Sequence, residues 1–181
     1  MGVTQAADSG GWRRLSRSRW LRAVVAAMAL GAWPACQTRS TPTAGAAPLD
    51  FTLKDMAGQS VTLADYAGRP LLINFWATWC GPCRIEIPWL IELQDRYRDR
   101  GLVVLGISAD DEPADLRPFA AEFKMNYPVL VGLGHDDLLK AYDAVELLPI
   151  TWFVRRDGTI SGKGVGIHPK DWFDEQVKAL F

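Results

Sequence analysis

The chain of 181 residues predicts an α/β domain whose sheet has parallel strands at its centre. Three observations predict it. Leu71–Trp76 and Leu102–Ser108 are nearly continuous apolar runs of strand length, the pattern of strands covered on both faces. Between them, Cys83 to about Arg100 places Ile87, Leu90, Leu93 and Tyr97 at the three- and four-residue spacing of one helix face. Strand, helix, strand in that order implies a right-handed parallel crossover. The third observation is the position of Cys80 and Cys83, three residues apart where the first strand passes into the helix.

The remaining elements follow along the chain. Residues 37–48 are rich in Thr, Ala, Pro and Gly and read as a flexible tether, so the domain is expected over 49–181. Phe51–Lys54 and Ser60–Leu63 read as two short strands around the turn Asp55–Gly58. Pro88 lies inside the helix after Cys83 and is expected to kink it, because it removes an N–H and crowds the preceding turn. Gly101 ends that helix. Asp115–Lys124 reads as a helix, Tyr127–Val131 as a short strand and Asp137–Tyr142 as another short helix. Ile150–Val154 and Thr159–Ile160 flank Arg155–Gly158, whose Asp-Gly pair marks a hairpin turn. Pro169–Phe181 closes the chain as an amphipathic helix with Phe173, Val177 and Leu180 on one face. There is no internal repeat.

With 49% hydrophobic and 23% charged residues, the chain can bury the core of one domain and carry an extension. Its net charge of −1 is unevenly spread. Residues 1–36 hold Arg13, Arg14, Arg17, Arg19 and Arg22 against Asp8, which leaves 15 basic and 20 acidic side chains in 37–181, a net of −5. An acidic domain without a basic, aromatic-interleaved stripe argues against nucleic acid as a partner. The arginines precede the apolar run Ala23–Trp33, the order of an export signal, and that run falls short of the about 20 residues that a membrane span needs. Cys36 follows directly, where bacterial lipoproteins carry their acylated cysteine, although Trp33 stands where such signals usually have Leu. A lipid anchor on Cys36, a cleaved soluble form and an uncleaved anchor are three outcomes of such a segment. All three place the domain in the periplasm, where disulfides persist, with membrane contact only through the N-terminus.

The two cysteines define the chemistry. A Cys at the first turn of a helix meets unpaired N–H groups and the positive end of the helix dipole, which favour the thiolate. The thiolate attacks disulfides, and a second Cys one turn on can displace the mixed disulfide. Other uses of the spacing are a zinc half-site, a static buried disulfide and a peroxidatic cysteine. Zinc needs about four ligands, and Cys36, His135 and His168 form no second close pair. The peroxiredoxin pattern has Pro seven and Thr or Ser three residues before its cysteine, where this chain has Ile73 and Ala77. Gly81-Pro82 between the cysteines and Trp79 in front favour an exposed, tight helix start over a static disulfide.

The segment Phe75–Pro88, with Trp79-Cys80-Gly81-Pro82-Cys83 at its centre and Glu86 behind it, resembles the active-site region of membrane-anchored thioredoxin-like reductases, the family of TlpA, ResA and CcmG. The resemblance continues through Leu148–Val154 and Asp157-Gly158 and covers roughly residues 49–181. It implies a thioredoxin fold with an N-terminal β-hairpin extension and a central βα insertion at about Gly106–Tyr142. It also implies roles. Cys80 is the attacking thiolate, Cys83 the resolving thiol, and the two form the redox disulfide. Pro149 is the cis proline facing the pair, and Leu148 before it offers backbone groups to an extended substrate, as in strand addition. Trp79 shields the dithiol and meets substrate, while Trp76 is core. Asn74 stands where cytosolic thioredoxins carry a buried Asp, so Glu86 becomes the candidate for moving the proton of Cys83. The implied activity is reduction of protein disulfides, with apocytochrome c thiols among the compatible substrates. The implied electron source is a membrane conduit of the DsbD or CcdA type, with no metal or organic cofactor. A disulfide-donating oxidant and a non-catalytic, redox-sensitive binding module remain alternatives.

Three further groups have mundane readings. His135 reads as a surface-loop histidine and His168 as a helix-entry residue. Asp110-Asp111-Glu112 reads as a solvated helix start, with cation binding as the alternative.

Overall fold

The structure, a computed structural model, describes residues 45–181. The expected signal over 1–36, Cys36 and the tether up to residue 44 lie outside the described residues.

The apolar runs form the centre of a seven-stranded sheet. Strand β3 (Leu71–Trp76) pairs in parallel with β4 (Val103–Ser108), in register Leu71 to Val103 through Trp76 to Ser108. Both strands are buried at every position, which explains their unbroken hydrophobicity. Helix α1 (Gly81–Tyr97) joins them, a short 3-10 turn (Arg98–Arg100) extends it, and Gly101 closes it at φ 92°, a left-handed position that glycine fills without a Cβ penalty. α1 runs unbroken through Pro88. The proline is exposed and removes a single N–H, while Ile87 and Leu90 beside it are fully buried.

Around this centre lie β1 (Thr52–Asp55), β2 (Ser60–Thr62), β5 (Val129–Val131), β6 (Ile150–Val154) and β7 (Ile160–Val165). The strand order is β2-β1-β5-β4-β3-β6-β7. β4 and β5 are parallel, and β6 and β7 form an antiparallel hairpin against β3. The N-terminal hairpin β1–β2 joins the sheet through an antiparallel pairing of β1 with β5. Strand β7 is longer than expected because Gly162–Val165 stay paired with β6 beyond a bulge at Ser161.

The sheet separates two cores. Leu72 and Trp76 face α1, α2 (Pro113–Phe123) and α4 (Lys170–Lys178), whose Leu116, Phe119, Phe173 and Val177 complete that side. Leu71, Ile73 and Phe75 face the opposite side with Leu138 and Leu139 of α3 (Asp136–Ala141) and Tyr142. The last residues of the expected tether belong to the fold. Ala46 bridges Thr159, Ala47 donates its N–H to the Gly158 carbonyl at 3.0 Å, and the Tyr142 hydroxyl donates to the Pro48 carbonyl at 2.7 Å. Small apolar residues such as Ala47 hold little sequence signal, yet they pack on the second core.

Candidate functional site

Cys80 is the N-cap of α1, and its Sγ accepts the N–H of Cys83 at 3.3 Å. Cys80 and Cys83 form a disulfide with a Cα–Cα distance of 5.3 Å. The flanking Trp79 (67% exposed), Gly81 and Pro82 are open, but Cys80 and Cys83 are only 3% and 1% exposed. The expectation of an exposed helix start therefore holds for the rim and not for the sulfurs. In the oxidised pair both cysteines belong to the core cluster that includes Trp76, Ala77 and Ile87.

The loop in front of the dithiol is held by side chains that follow β4, and the expectation of a solvated acidic run holds for Asp110 and Glu112 but fails for Asp111. Asp111 is buried and accepts three hydrogen bonds: from the Thr78 N–H at 2.8 Å, the Thr78 hydroxyl at 2.5 Å and the Ser108 hydroxyl at 2.6 Å. These bonds compensate the cost of burying the carboxylate. Asp110 beside it stays exposed and accepts the Trp79 indole N–H at 3.0 and 3.2 Å. Consecutive acids thus clamp the backbone before Cys80 and the Trp79 indole next to it. Gly132 lets β5 approach this corner: its N–H donates to the Ser108 carbonyl at 2.7 Å, and a Cβ there would lie 2.5 Å from that oxygen.

Glu86 is also buried, not a solvated helix residue. It lies three residues after Cys83, on the same face of α1. One oxygen accepts the His168 N–H at 3.4 Å and the other has no partner among the described residues. Burial pushes its carboxyl up to about 8, against a smaller downward pull from the His168 N–H. Glu86 is therefore mostly a neutral acid at pH 7. The Tyr127 hydroxyl is buried without a partner among the described residues, and burial and then the Glu86 charge raise it far above the usual phenol range. Asn74, facing the same core from β3, is neutral and donates from Nδ2 to Thr151 Oγ1 at 2.9 Å.

The Leu148–Pro149 peptide is cis. Pro149 is buried, its carbonyl accepts the Gly166 N–H at 2.8 Å, and Leu148 packs against both cores. Trp79 and Leu148 line one cleft. His168 precedes α4 and stacks on Trp172 at 4.0 Å, and His135 is the half-buried N-cap of α3 without a side-chain cap bond. Neither histidine is brought to the sulfurs by any contact seen here. Among the described residues no group of three or more His, Cys, Asp and Glu is placed to hold a metal ion. Sequence reasoning missed Asp111, Thr78 and Ser108 as a unit. The only local signal was a strand ending in Ser108 followed by acids.

Comparison with known proteins agrees with this geometry. The profile of the AhpC/TSA family matches residues 44–163. The thiol-disulfide oxidoreductase ResA of Geobacillus kaustophilus is 28% identical over 169 residues, 93% of this chain and 96% of that one. The thioredoxin-like protein YneN of Bacillus subtilis is 32% identical over 172 residues, 88% of this chain and 96% of that one. The crystal structure of a thiol:disulfide interchange protein of the thioredoxin family from Chlorobium tepidum superposes with a TM-score of 0.67 at 28% identity, covering 78% of this chain and 97% of that one.

Proposed function

The chain belongs to the AhpC/TSA family, among its thioredoxin-like members, and on that footing we propose that it is a thiol-disulfide oxidoreductase that reduces protein disulfides. The observation that carries the reading is the Cys80–Cys83 disulfide at the start of α1 with a buried Glu86 one turn behind it.

The reduced enzyme begins the reaction. The Cys80 thiolate attacks one sulfur of the substrate disulfide and the other sulfur leaves as a thiolate, which takes up a proton. Cys83 loses its proton and attacks Cys80 Sγ, and the second substrate sulfur leaves. The substrate gains two electrons and two protons, and the enzyme keeps the Cys80–Cys83 disulfide. Glu86 is the proposed proton carrier for Cys83, because a carboxyl titrating near 8 can both take and give a proton close to neutral pH. Trp79, Leu148 and Pro149 are proposed to bind substrate, Leu148 through its backbone.

Burial supports the reducing direction. A strong oxidant such as DsbA owes its potential to a stabilised reduced form with a thiolate of very low pKa. Here the sulfurs lie in an apolar cluster with Glu86 behind them, and the helix start with its Cys83 N–H is what stabilises a thiolate on Cys80. A peroxidatic role finds no support, because Ala77 leaves no hydroxyl at the position that such cysteines use.

We assign the domain to the periplasmic face of a bacterial inner membrane, over residues 45–181 and tethered through 1–36, with Cys36 as the lipidation candidate. The order of arginines, apolar run and cysteine supports this. No helix among the described residues is long and apolar enough to cross a membrane. The proposed electron donor is a membrane conduit of the DsbD or CcdA type, and apocytochrome c is the first substrate to assay. The test is trapping: Cys83→Ser should accumulate a mixed disulfide on Cys80 with a disulfide substrate, and Cys80→Ser should not. Equal trapping by both variants would overturn the assignment.

A further inference from the structure

The cleft beside the dithiol has a charge pattern that exchange chemistry does not require. Its volume is about 260 Å³, and Trp79 and Leu148 stand on its rim. Val145, 58% exposed, adds an apolar wall, so the cleft opens on aliphatic and indole surface. A large exposed tryptophan normally samples several rotamers. Here the Asp110 carboxylate accepts its indole N–H, which favours the rotamer that walls the cleft. Around this wall stand Asp110, Asp136 and Glu146, opposed by Lys140 alone, a formal charge of −2. None of the three acids makes an ion pair with a described residue. A second groove of about 350 Å³ shares Lys140, Val145 and Glu146 with the cleft and leads away over Leu147 and Val165. There Asp143 and Lys163 pair, so the excess negative charge is confined to the end beside Cys80.

We propose that this cleft is a recognition subsite for an extended peptide carrying a lysine or arginine next to its disulfide cysteine. The proposal rests on the exchange reading and adds the class of substrate to it. The aliphatic stem of the basic side chain lies against Trp79 and Val145, as long cationic side chains do on apolar surface. The cationic head meets Asp110, Asp136 and Glu146, and the indole face adds a cation–π contact. A peptide with an acidic residue at the same place meets like charges instead, so the cleft selects by repulsion as well as attraction.

The experiment uses the full oxidised chain and two peptides that differ only in an Arg or a Glu beside a Ser that replaces the cysteine. Binding is read by calorimetry. The Arg peptide should bind about tenfold tighter at low salt, the sum of several weak exposed pairs, and the ratio should shrink in 0.5 M salt. The double variant Asp136→Asn/Glu146→Gln should lose most of that ratio. The control Asp65→Asn/Asp99→Asn removes two exposed charges elsewhere and should keep it, which separates the cleft from the overall acidity of the domain. Equal affinity for the two peptides, or the same loss in both double variants, overturns the proposal. Turnover of a small neutral disulfide by the unaltered chain is read in parallel. Turnover without peptide preference fells the subsite and leaves the exchange reading standing. Peptide preference without turnover leaves the subsite standing and fells that reading.

Discussion

Burying Glu86 has a pH signature. Its carboxyl titrates at 4.5 when unfolded and at about 8 in the fold, so the native state holds a proton that the unfolded state has released. By linkage, the contribution of Glu86 to stability is greatest below pH 4.5, falls as pH rises, and levels off above about 8. Glu86→Gln removes that slope. The variant should match the parent in denaturant midpoint at pH 4.5 and exceed it at pH 9, and parallel curves would refute the burial argument. Catalysis should respond in the opposite sense. Glu86→Gln should slow disulfide turnover by about 100-fold or more and abolish an inflection near pH 8 in the rate profile, the loss expected for a proton carrier. The spacing of Glu86 from Cys83 was legible in the sequence, but its burial was not. The cover comes from His168, 82 residues away.

At the scale of elements, the β4–α2 turn is a clamp on the β3–α1 turn. Asp111→Ala would strand the Thr78 N–H, the Thr78 hydroxyl and the Ser108 hydroxyl, at a cost of about 3 kcal/mol, or roughly a 10 °C drop in Tm for a domain of this size. Asp110→Asn keeps an acceptor for the indole and lies on the surface, so it should cost about 0.5 kcal/mol or less. Thermal melts of the two variants decide this, and equal shifts would mean that Asp111 is no clamp. Hydrogen exchange at the Thr78 amide should quicken in Asp111→Ala while that at Leu105 in mid-strand does not. The strands β3 and β4 and the helix between them were legible because periodicity is local. The clamp was not, because its partners are 33 residues apart and a run of acids looks the same in sequence whether solvated or buried.

At the scale of the molecule, the sheet order carries the function. β3 and β4 hold the dithiol turn and its clamp at one end of the sheet, and β6 begins directly after the cis Leu148–Pro149 bond. The hairpin β1–β2 lies at the far edge, consistent with an accessory extension. The fold class was legible from a few motifs. The seating of residues 45–48 on the domain was not, since short backbone pairings leave almost no trace in composition. In the direction proposed for this molecule, the buried pair gives up electrons. The reduction potential of the Cys80–Cys83 couple in the full chain, equilibrated against glutathione or dithiothreitol, decides this. A reducing pair gives a value well below about −200 mV, in the range of reducing thioredoxin-like proteins. A value near about −120 mV would contradict that direction and make the protein a donor of disulfides.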